Sequence, residues 1–421
     1  MIPTAASTTP PDPAADADYR RARERLAAND LAGASHWLEQ AASKRHPAAL
    51  TELAILHLHG FGRDADPARA VELLLHAEAS GGTPETGYLL AQVAIGGVVL
   101  PRDGRRIDGW IADSARRGHP AALRVAGLAF GRRPEAAFQR AAAECFRRAT
   151  EARDPVGAAL FADRLHAGRG VARDAALALD YANELRAMGI PVELPAGETD
   201  APPAPGDGAL PWDAIDVLGG TLPPADRVCS EPEVATCDGL LDDEECRYLV
   251  YSGARFVERS LVVHPKTGQP LEYGVRTSKD MAFAPTDDDA GVRLLEHRMA
   301  RLAGFTLDHC EPLTLLRYGP GEQYHPHRDY FFPSAPQLSQ PGGQRHSTVC
   351  VYLNEVAEGG QTVFPDKGVS VQPRRGRAVM FRSLRADGSP EPSSLHAGMP
   401  VLAGEKWLAT AWIRVNRLRT F

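Results

Sequence analysis

The stretch Tyr318–Phe331, which reads YGPGEQYHPHRDYF, says more about this chain than any other part of it. It begins where the run Thr314–Tyr318 ends, and the composition of that run is typical of a β-strand. Glycine and proline then break the strand, and His327 and Asp329 follow two positions apart. On an extended chain this spacing places both side chains on one face and turns Arg328 to the other. The sequence therefore predicts an imidazole and a carboxylate side by side.

A second tract, Ser394–Trp407 (SLHAGMPVLAGEKW), supplies the groups that would complete such a site. The second tract is needed because a lone His-x-Asp often arises by chance. His396 lies in a predicted loop, and a glycine-bearing turn leads into Lys406–Ile413, which alternates as a strand does. Two imidazoles and one carboxylate form the facial triad that binds non-haem Fe(II) with positions left open, although zinc favours similar ligands. Lys406, ten positions after His396, suits the far end of a dicarboxylate co-substrate because its ammonium is a compact cation.

Together the two tracts resemble the catalytic domain of the prolyl 4-hydroxylase family of 2-oxoglutarate dioxygenases, over roughly residues 235–416. Three further segments match the family in order and spacing: Arg276–Ser278 (RTS), Val349–Pro365 (VCVYLNEVAEGGQTVFP) and Pro373–Phe381 (PRRGRAVMF). One departure is Gln361, where the family has glutamate. Another is the stretch 333–344, rich in Pro, Gly, Ser and Gln, which reads as a mobile surface loop and leaves the substrate open.

The resemblance implies roles for nine residues. Fe(II) would be held by His327, Asp329 and His396, and the distal carboxylate of 2-oxoglutarate by Lys406, Tyr318 and Thr362. The substrate groove would be lined by Arg276, Tyr324 and Trp412. The aromatic residues among these could equally be core packing, and Arg276 could form an ordinary surface ion pair. Dioxygen as second co-substrate and ascorbate as reductant follow from the same resemblance.

The first half of the chain repeats itself. Prolines recur at Pro47, Pro84, Pro120 and Pro155, with spacings of 37, 36 and 35. Glycines recur at Gly60, Gly96, Gly131 and Gly168, with spacings of 36, 35 and 37. Proline fits the first turn of a helix and glycine ends a helix in the left-handed conformation, so each unit is predicted to be a pair of helices. The pattern resembles Sel1-like repeats, relatives of the tetratricopeptide repeat, over about residues 30–190.

Helical repeats of this period stack into a solenoid whose concave face commonly binds other polypeptides. We therefore expect a polypeptide substrate or partner protein on the repeats, with a purely structural domain that caps or dimerises the oxygenase as the alternative. The predicted fold class is multidomain, an all-α helical-repeat solenoid followed by an α+β double-stranded β-helix (jelly roll). The predicted divisions are 1–29 (disordered tail and first helix), 30–190 (repeats), 191–226 (Pro/Gly/Ala-rich linker) and 227–421 (dioxygenase domain).

Composition excludes several function classes. The net charge of −7 and the lack of a sustained basic stripe argue against nucleic acid as a partner. The six cysteines contain no Cys-x-x-Cys pair, and the first residues lack the basic start of a targeting peptide. We therefore expect reduced thiols and a cytoplasmic protein. No apolar run is long enough to span a bilayer, so no membrane partner is expected.

The resemblance implies a hydroxylase that acts on a C–H bond of a prolyl residue in a peptide or protein and releases succinate and CO2. One alternative is hydroxylation of a free amino acid or a small natural-product intermediate by the same iron centre. A peptide enzyme should have an open groove beside the iron, whereas a small-molecule enzyme should close it. A further alternative is an inactive oxygenase-fold scaffold that works through its repeats. The intact triad together with Lys406 argues against such a scaffold.

Overall fold

The computed structural model describes residues 12–194, 209–260, 262–263, 270–271 and 277–421. The α-helices in these ranges are α1 (Pro13–Ala27), α2 (Leu31–Ser43), α3 (Pro47–His59), α4 (Pro67–Ala79), α5 (Pro84–Gly96), α6 (Gly104–Arg116), α7 (Pro120–Gly131), α8 (Ala136–Glu151), α9 (Pro155–Ala167), α10 (Ala175–Ala187), α11 (Asp243–Gly253) and α12 (Ala290–Leu302). The strands are β1 (Asp226–Ser230), β2 (Glu233–Cys237), β3 (Glu258–Arg259), β4 (Val262–Val263), β5 (Pro270–Leu271), β6 (Lys279–Ala282), β7 (Thr314–Tyr318), β8 (Tyr324–His327), β9 (Arg345–Tyr352), β10 (Glu358–Gly359), β11 (Thr362–Phe364), β12 (Val369–Val371), β13 (Ala378–Arg382), β14 (His396–Gly398), β15 (Val401–Ala403) and β16 (Lys406–Arg414).

Helices α1–α10 pack as consecutive pairs, which confirms the predicted helical repeat. The recurring prolines Pro47, Pro84, Pro120 and Pro155 are the first residues of α3, α5, α7 and α9. Proline is tolerated there because the first-turn amide has no partner within the helix. The cap residue before each proline accepts a hydrogen bond from a first-turn amide, so each pair begins at a well-defined point.

The recurring glycines fall into two groups. Gly60 and Gly168 follow α3 and α9 with φ of 72° and 71°, as the sequence predicts for left-handed caps. Gly96 and Gly131 do not take that role, because each is the last residue of its helix. The expectation that all four glycines are left-handed caps is therefore wrong for two of them, and those two need another explanation.

Gly96 and Gly131 make room for the second half of the chain. A Cβ on Gly96 would lie 2.8 Å from the backbone carbonyl carbon of Phe421. A Cβ on Gly131 would collide with the carboxylate of Glu244. Any side chain at these positions would push the two halves apart, so glycine is required here by close approach.

The second half of the chain is a jelly roll of two opposed antiparallel sheets, which confirms the predicted fold class. The larger sheet has the strand order β1-β2-β13-β9-β16-β7-β6-β3, and the smaller has the order β12-β11-β14-β8. A compact apolar cluster fills the space between them, including Leu316, Phe364 and Phe381. The opening at one end of this space holds the candidate site.

Strand β16 shows how the two faces of the larger sheet are used. Lys406, Leu408, Thr410 and Trp412 point into the space between the sheets. Residues that alternate with them, such as Ala409, belong to the core formed with α11 and α12. One face of β16 therefore lines the candidate site, and its other face packs on the helices.

The repeats pack directly on α11 and α12, with one continuous apolar core joining the two halves. Helices α5, α7 and α9, the first helices of their pairs, make these contacts. The solenoid therefore lies behind the larger sheet, on the face opposite the candidate site. These inner helices already hold the protein's own jelly-roll domain, as the structural alternative expected.

The contact between the two halves is also polar. Arg164 of α9 makes two hydrogen bonds of 2.7 Å to the Glu244 carboxylate of α11. Asp163 accepts a hydrogen bond of 2.9 Å from the hydroxyl of Tyr251 and lies 3.0 Å from Arg247. Because these groups are buried and paired, they orient the two halves as well as joining them.

Part of the predicted linker is also held in place. Trp212 packs on the repeats, with its ring 5.8 Å from that of Phe130 and under the guanidinium of Arg116. Residues 195–208 of the linker and residues 1–11 of the predicted tail lie outside the described residues. All six cysteines are free thiols. Within the described ranges, no helix combines the length and the apolar character needed to cross a membrane.

Candidate metal centre

Two paired strands of the smaller sheet bring the predicted triad together. His327 ends β8 and His396 begins β14, and the two residues are direct cross-strand partners. Asp329 follows β8 and turns back toward both rings, so that its Oδ1 lies 3.5 Å from His327 Nε2 and its Oδ2 lies 3.8 Å from His396 Nε2. The three donor atoms lie within 4.8 Å of one another, which is close enough to share one ion.

Hydrogen bonds to the backbone orient both imidazoles. His327 Nδ1 lies 2.9 Å from the carbonyl oxygen of His325, and His396 Nδ1 lies 2.9 Å from that of Ser394. A carbonyl can only accept, so Nδ1 is the donor in both bonds and Nε2 of each ring is left facing Asp329. This is the arrangement in which histidine binds a metal with its second nitrogen held by the protein.

The charge state of the cluster also suits a divalent cation. Burial lowers the pKa of His396 to about 4, so its ring is neutral near pH 7. Burial opposes ionisation of Asp329, yet His396 and His327 beside it hold the pKa of that carboxyl well below its usual range. Two imidazole nitrogens and one carboxylate are a donor set that fits non-haem Fe(II).

Lys406 lies at the inner end of the same pocket. Its register partner on β7 is Tyr318, whose ring centroid is 4.3 Å from Nζ. The ammonium is buried and donates a hydrogen bond of 3.0 Å to the carbonyl of Gly360. Across the described residues, no carboxylate lies within ion-pair distance of it. Burial lowers the pKa of the ammonium from 10.5 to about 8, as expected for a cation without an anion beside it.

The two predicted hydroxyl donors line this pocket together with Lys406. Tyr318 and Thr362 both contribute to its wall. Thr362 Oγ1 is 2.6 Å from the hydroxyl oxygen of Tyr352, and either hydroxyl can be the donor in this contact. Tyr352 therefore fixes the rotamer of Thr362. The sequence marked Tyr352 only as part of a strand, although its alternation with Cys350 places it on the pocket face.

The predicted substrate residues lie at the outer end. Tyr324 stacks on His327 with ring centroids 3.5 Å apart, and Trp412 lines the same pocket. Arg276 lies outside the described residues. Its neighbour Thr277 exchanges hydrogen bonds with Gln323, the residue before Tyr324. The structure thus brings eight of the nine predicted residues to one pocket.

Sequence reasoning missed a polar cluster under the metal ligands. Arg345 makes a two-pronged ion pair with Glu311, and its guanidinium lies 4.2 Å from the ring centroid of Trp412. Thr348 donates a hydrogen bond of 2.6 Å to Asp329 Oδ2. Glu311 is separated from both residues by more than thirty positions, so no local pattern could have indicated the contact.

Comparison with known proteins agrees with this geometry. The family model of the 2OG-Fe(II) oxygenase superfamily matches residues 313–414, which contain all three candidate ligands. The chain is 36% identical over 208 residues to Probable prolyl 4-hydroxylase 10 of Arabidopsis thaliana, covering 45% of this chain and 71% of that protein. It is 35% identical over 211 residues to Prolyl 4-hydroxylase 2 of the same plant, covering 45% of this chain and 70% of the relative. The chain therefore belongs to the prolyl 4-hydroxylase family of 2-oxoglutarate- and Fe(II)-dependent oxygenases.

Solved structures resemble each half separately. The viral collagen prolyl hydroxylase of Paramecium bursaria Chlorella virus-1 is 26% identical, with 44% of this chain and 98% of that chain covered and a TM-score of 0.35. A Sel1 repeat protein from Oxalobacter formigenes is 18% identical, with 42% and 73% covered and a TM-score of 0.37. Because both TM-scores are low, the fold of each half is defined by its own helix pairs and strand order.

Proposed function

We propose that this protein hydroxylates a C–H bond of a prolyl residue in a peptide or protein and converts 2-oxoglutarate to succinate and CO2. Fe(II) would be held by His327, Asp329 and His396. Together with dioxygen and 2-oxoglutarate, the ion supplies the oxidising chemistry, and ascorbate would keep it reduced. The relatives of which this chain covers more than two thirds are named prolyl 4-hydroxylases, which supports this substrate class.

The observation that carries the proposal is the buried ammonium of Lys406. A buried charge without a counter-charge is costly, so it indicates a missing anion. The distal carboxylate of 2-oxoglutarate would supply that anion, with the hydroxyls of Tyr318 and Thr362 completing its shell. The other end of the same molecule would then point toward the three candidate metal ligands, which line the same pocket.

The protein's own residues prepare the site for this chemistry. The carbonyls of His325 and Ser394 hold the two imidazoles in the tautomer that leaves Nε2 free. Apolar residues of the pocket such as Leu316 and Leu408 exclude water around the ligands. Tyr324 and Trp412 would hold a prolyl ring against the open side of the metal, because both offer flat apolar faces.

A polypeptide partner on the repeats is also proposed, but in a narrower form than the sequence suggested. The inner faces of α5, α7 and α9 are covered by α11 and α12. A partner would therefore bind the α1–α4 end or the outer helices. Removal of α1 and α2 alone tests this idea, because activity on the full-length substrate should fall while activity on a short peptide remains.

Mass spectrometry can test the substrate class directly. Cell extract treated with wild-type enzyme, Fe(II), 2-oxoglutarate and ascorbate should show prolyl residues that gain one oxygen atom. Extract treated with Asp329→Ala should show none. A gain of oxygen confined to free amino acids or small metabolites would favour the small-molecule alternative. Succinate production by the Asp329→Ala variant at the wild-type rate would refute the metal assignment.

A further inference from the structure

The hydroxyl of Thr348 contacts the candidate ligand Asp329 at the oxygen farther from His327. Thr348 Oγ1 donates a hydrogen bond of 2.6 Å to Asp329 Oδ2, and both side chains are buried. Oδ1 lies 3.5 Å from His327 Nε2, and Oδ2 lies 3.8 Å from His396 Nε2. The two carboxylate oxygens are therefore in different environments before any ion binds.

Thr348 is itself held rigidly. It lies within β9, where its register partners are Phe381 on β13 and Trp412 on β16. A strand paired on both sides has little backbone freedom, and a β-branched side chain has few rotamers at χ1. The hydroxyl is thus a fixed point from which the carboxylate can be oriented.

The backbone after Asp329 is attached to the start of the same strand. Arg345 Nη1 lies 3.5 Å from the carbonyl oxygen of Asp329. Gln344 accepts a hydrogen bond of 2.6 Å from the amide of Phe331 and donates one of 2.8 Å to its carbonyl. The side chain of Asp329 and the backbone around it are therefore both held by β9 and the residue before it, whereas His327 belongs to β8.

We propose that Thr348 is a positioning residue whose hydrogen bond to Oδ2 holds the carboxylate of Asp329 in the orientation that binds the metal together with the two imidazoles. This inference rests on the function proposed above. The orientation of this carboxylate matters because the ion would have to be bound by all three side chains and still offer open positions to a chelating 2-oxo acid and dioxygen.

Cobalt(II) titration tests the inference without turnover, since the absorption of bound Co(II) reports its affinity and coordination number. Thr348→Val keeps the shape and removes the hydroxyl. It should weaken Co(II) binding about 10- to 100-fold and change the Co(II) spectrum. Thr348→Ser keeps the hydroxyl and should bind as the wild type does. Ser347→Ala is the matched control, because this neighbouring hydroxyl is 2.7 Å from His346 Nδ1 and faces away from Asp329.

The outcomes distinguish a role of the Thr348 hydroxyl from a role of its packing, and both from the absence of a metal site. Wild-type Co(II) affinity and spectrum in Thr348→Val would overturn the proposal, as would equal losses in Thr348→Val and Thr348→Ser. If Thr348→Val fails to fold, Thr348→Ala replaces it and the same comparison with Thr348→Ser decides. In folded Thr348→Val, the kcat for succinate should fall more than the KM for 2-oxoglutarate rises. A wild-type protein that binds no Co(II) would refute the metal site, and the inference with it.

Discussion

Two regions of this protein bury charge, and they do so in opposite ways. Between the repeats and the jelly roll, Arg164 meets Glu244 through two hydrogen bonds of 2.7 Å, and Asp163 meets Arg247 at 3.0 Å. In the pocket, Lys406 is just as deeply buried, but no carboxylate of the described residues lies within ion-pair distance of it; it contacts the carbonyl of Gly360 and the ring of Tyr318.

The difference separates structure from function. A buried charge that the chain itself neutralises holds the fold together. A buried charge that the chain leaves without a counter-ion is a cost to the fold, and is retained when a ligand supplies the opposite charge. The first region should therefore respond to mutation in stability, and the second in ligand binding.

The largest effect is expected from removing the repeats. Deletion of residues 1–208 should give an insoluble or unfolded product, because the two halves share one continuous core. Helices α11 and α12 would then expose apolar surface and charged groups such as Glu244. Soluble expression and thermal melting of the fragment 209–421 measure this. A fragment with wild-type melting and uncoupled turnover would show that the shared core is dispensable.

Loss of a triad residue should abolish catalysis and spare the fold. His327→Ala and Asp329→Ala each remove a donor from a cluster whose atoms lie within 4.8 Å of one another. Succinate formation should fall to background, while circular dichroism keeps its helical signal. His325→Ala is the matched control, because only the backbone carbonyl of His325 contacts the site. Turnover that survived both ligand mutations would remove iron from the assignment.

Breaking the buried ion pair should cost stability without changing chemistry. Arg164→Ala leaves Glu244 buried and unpaired, so the free energy of unfolding should fall by about 3–5 kcal/mol. Arg147→Ala on α8 removes a solvent-accessible guanidinium that pairs with Glu144 and Glu151, and should cost no more than about 1 kcal/mol. Denaturant unfolding measures both, and equal losses would show that the burial of Arg164 confers no special role.

Replacing Lys406 should weaken binding of the co-substrate without a cost in stability. Lys406→Met should raise the KM for 2-oxoglutarate about 10- to 100-fold, because a hydrogen bond to a charged group contributes roughly 1.5–3 kcal/mol. The kcat for succinate should change less. Lys279→Met, which removes an exposed lysine of β6, is the matched control. An unchanged KM in Lys406→Met would separate the lysine from the co-substrate.

The same variant should stabilise the ligand-free protein, and the gain should depend on pH. The pKa of Lys406 falls from 10.5 to about 8 on folding, which disfavours the charged form by roughly 3 kcal/mol. Between these values the unfolded chain binds a proton that the folded one does not, so wild-type stability rises with pH. The advantage of Lys406→Met in unfolding free energy should therefore shrink as the pH rises from about 8 to about 10.5. A constant difference would contradict the buried, unpaired state.

Local patterns predicted a large part of this molecule. The run Thr314–Tyr318 is β7, as the sequence indicated. The triad could be named because an i, i+2 pair on a strand has one geometry whatever surrounds it. Period, capping and strand alternation each depend on a few neighbouring residues, and these can be read from the chain alone.

Tertiary structure alone decided what those elements meet. Gly131 looked like a helix cap and is instead the space that the Glu244 carboxylate fills, 113 positions later in the chain. Thr348 looked like an ordinary strand residue and holds the carboxylate of Asp329. Such contacts depend on strand register and on how helices stack, which are set by the packing of the whole chain. Sequence therefore determined the chemistry this protein carries, and three-dimensional packing determined how its ligands are oriented and which of its surfaces remain open.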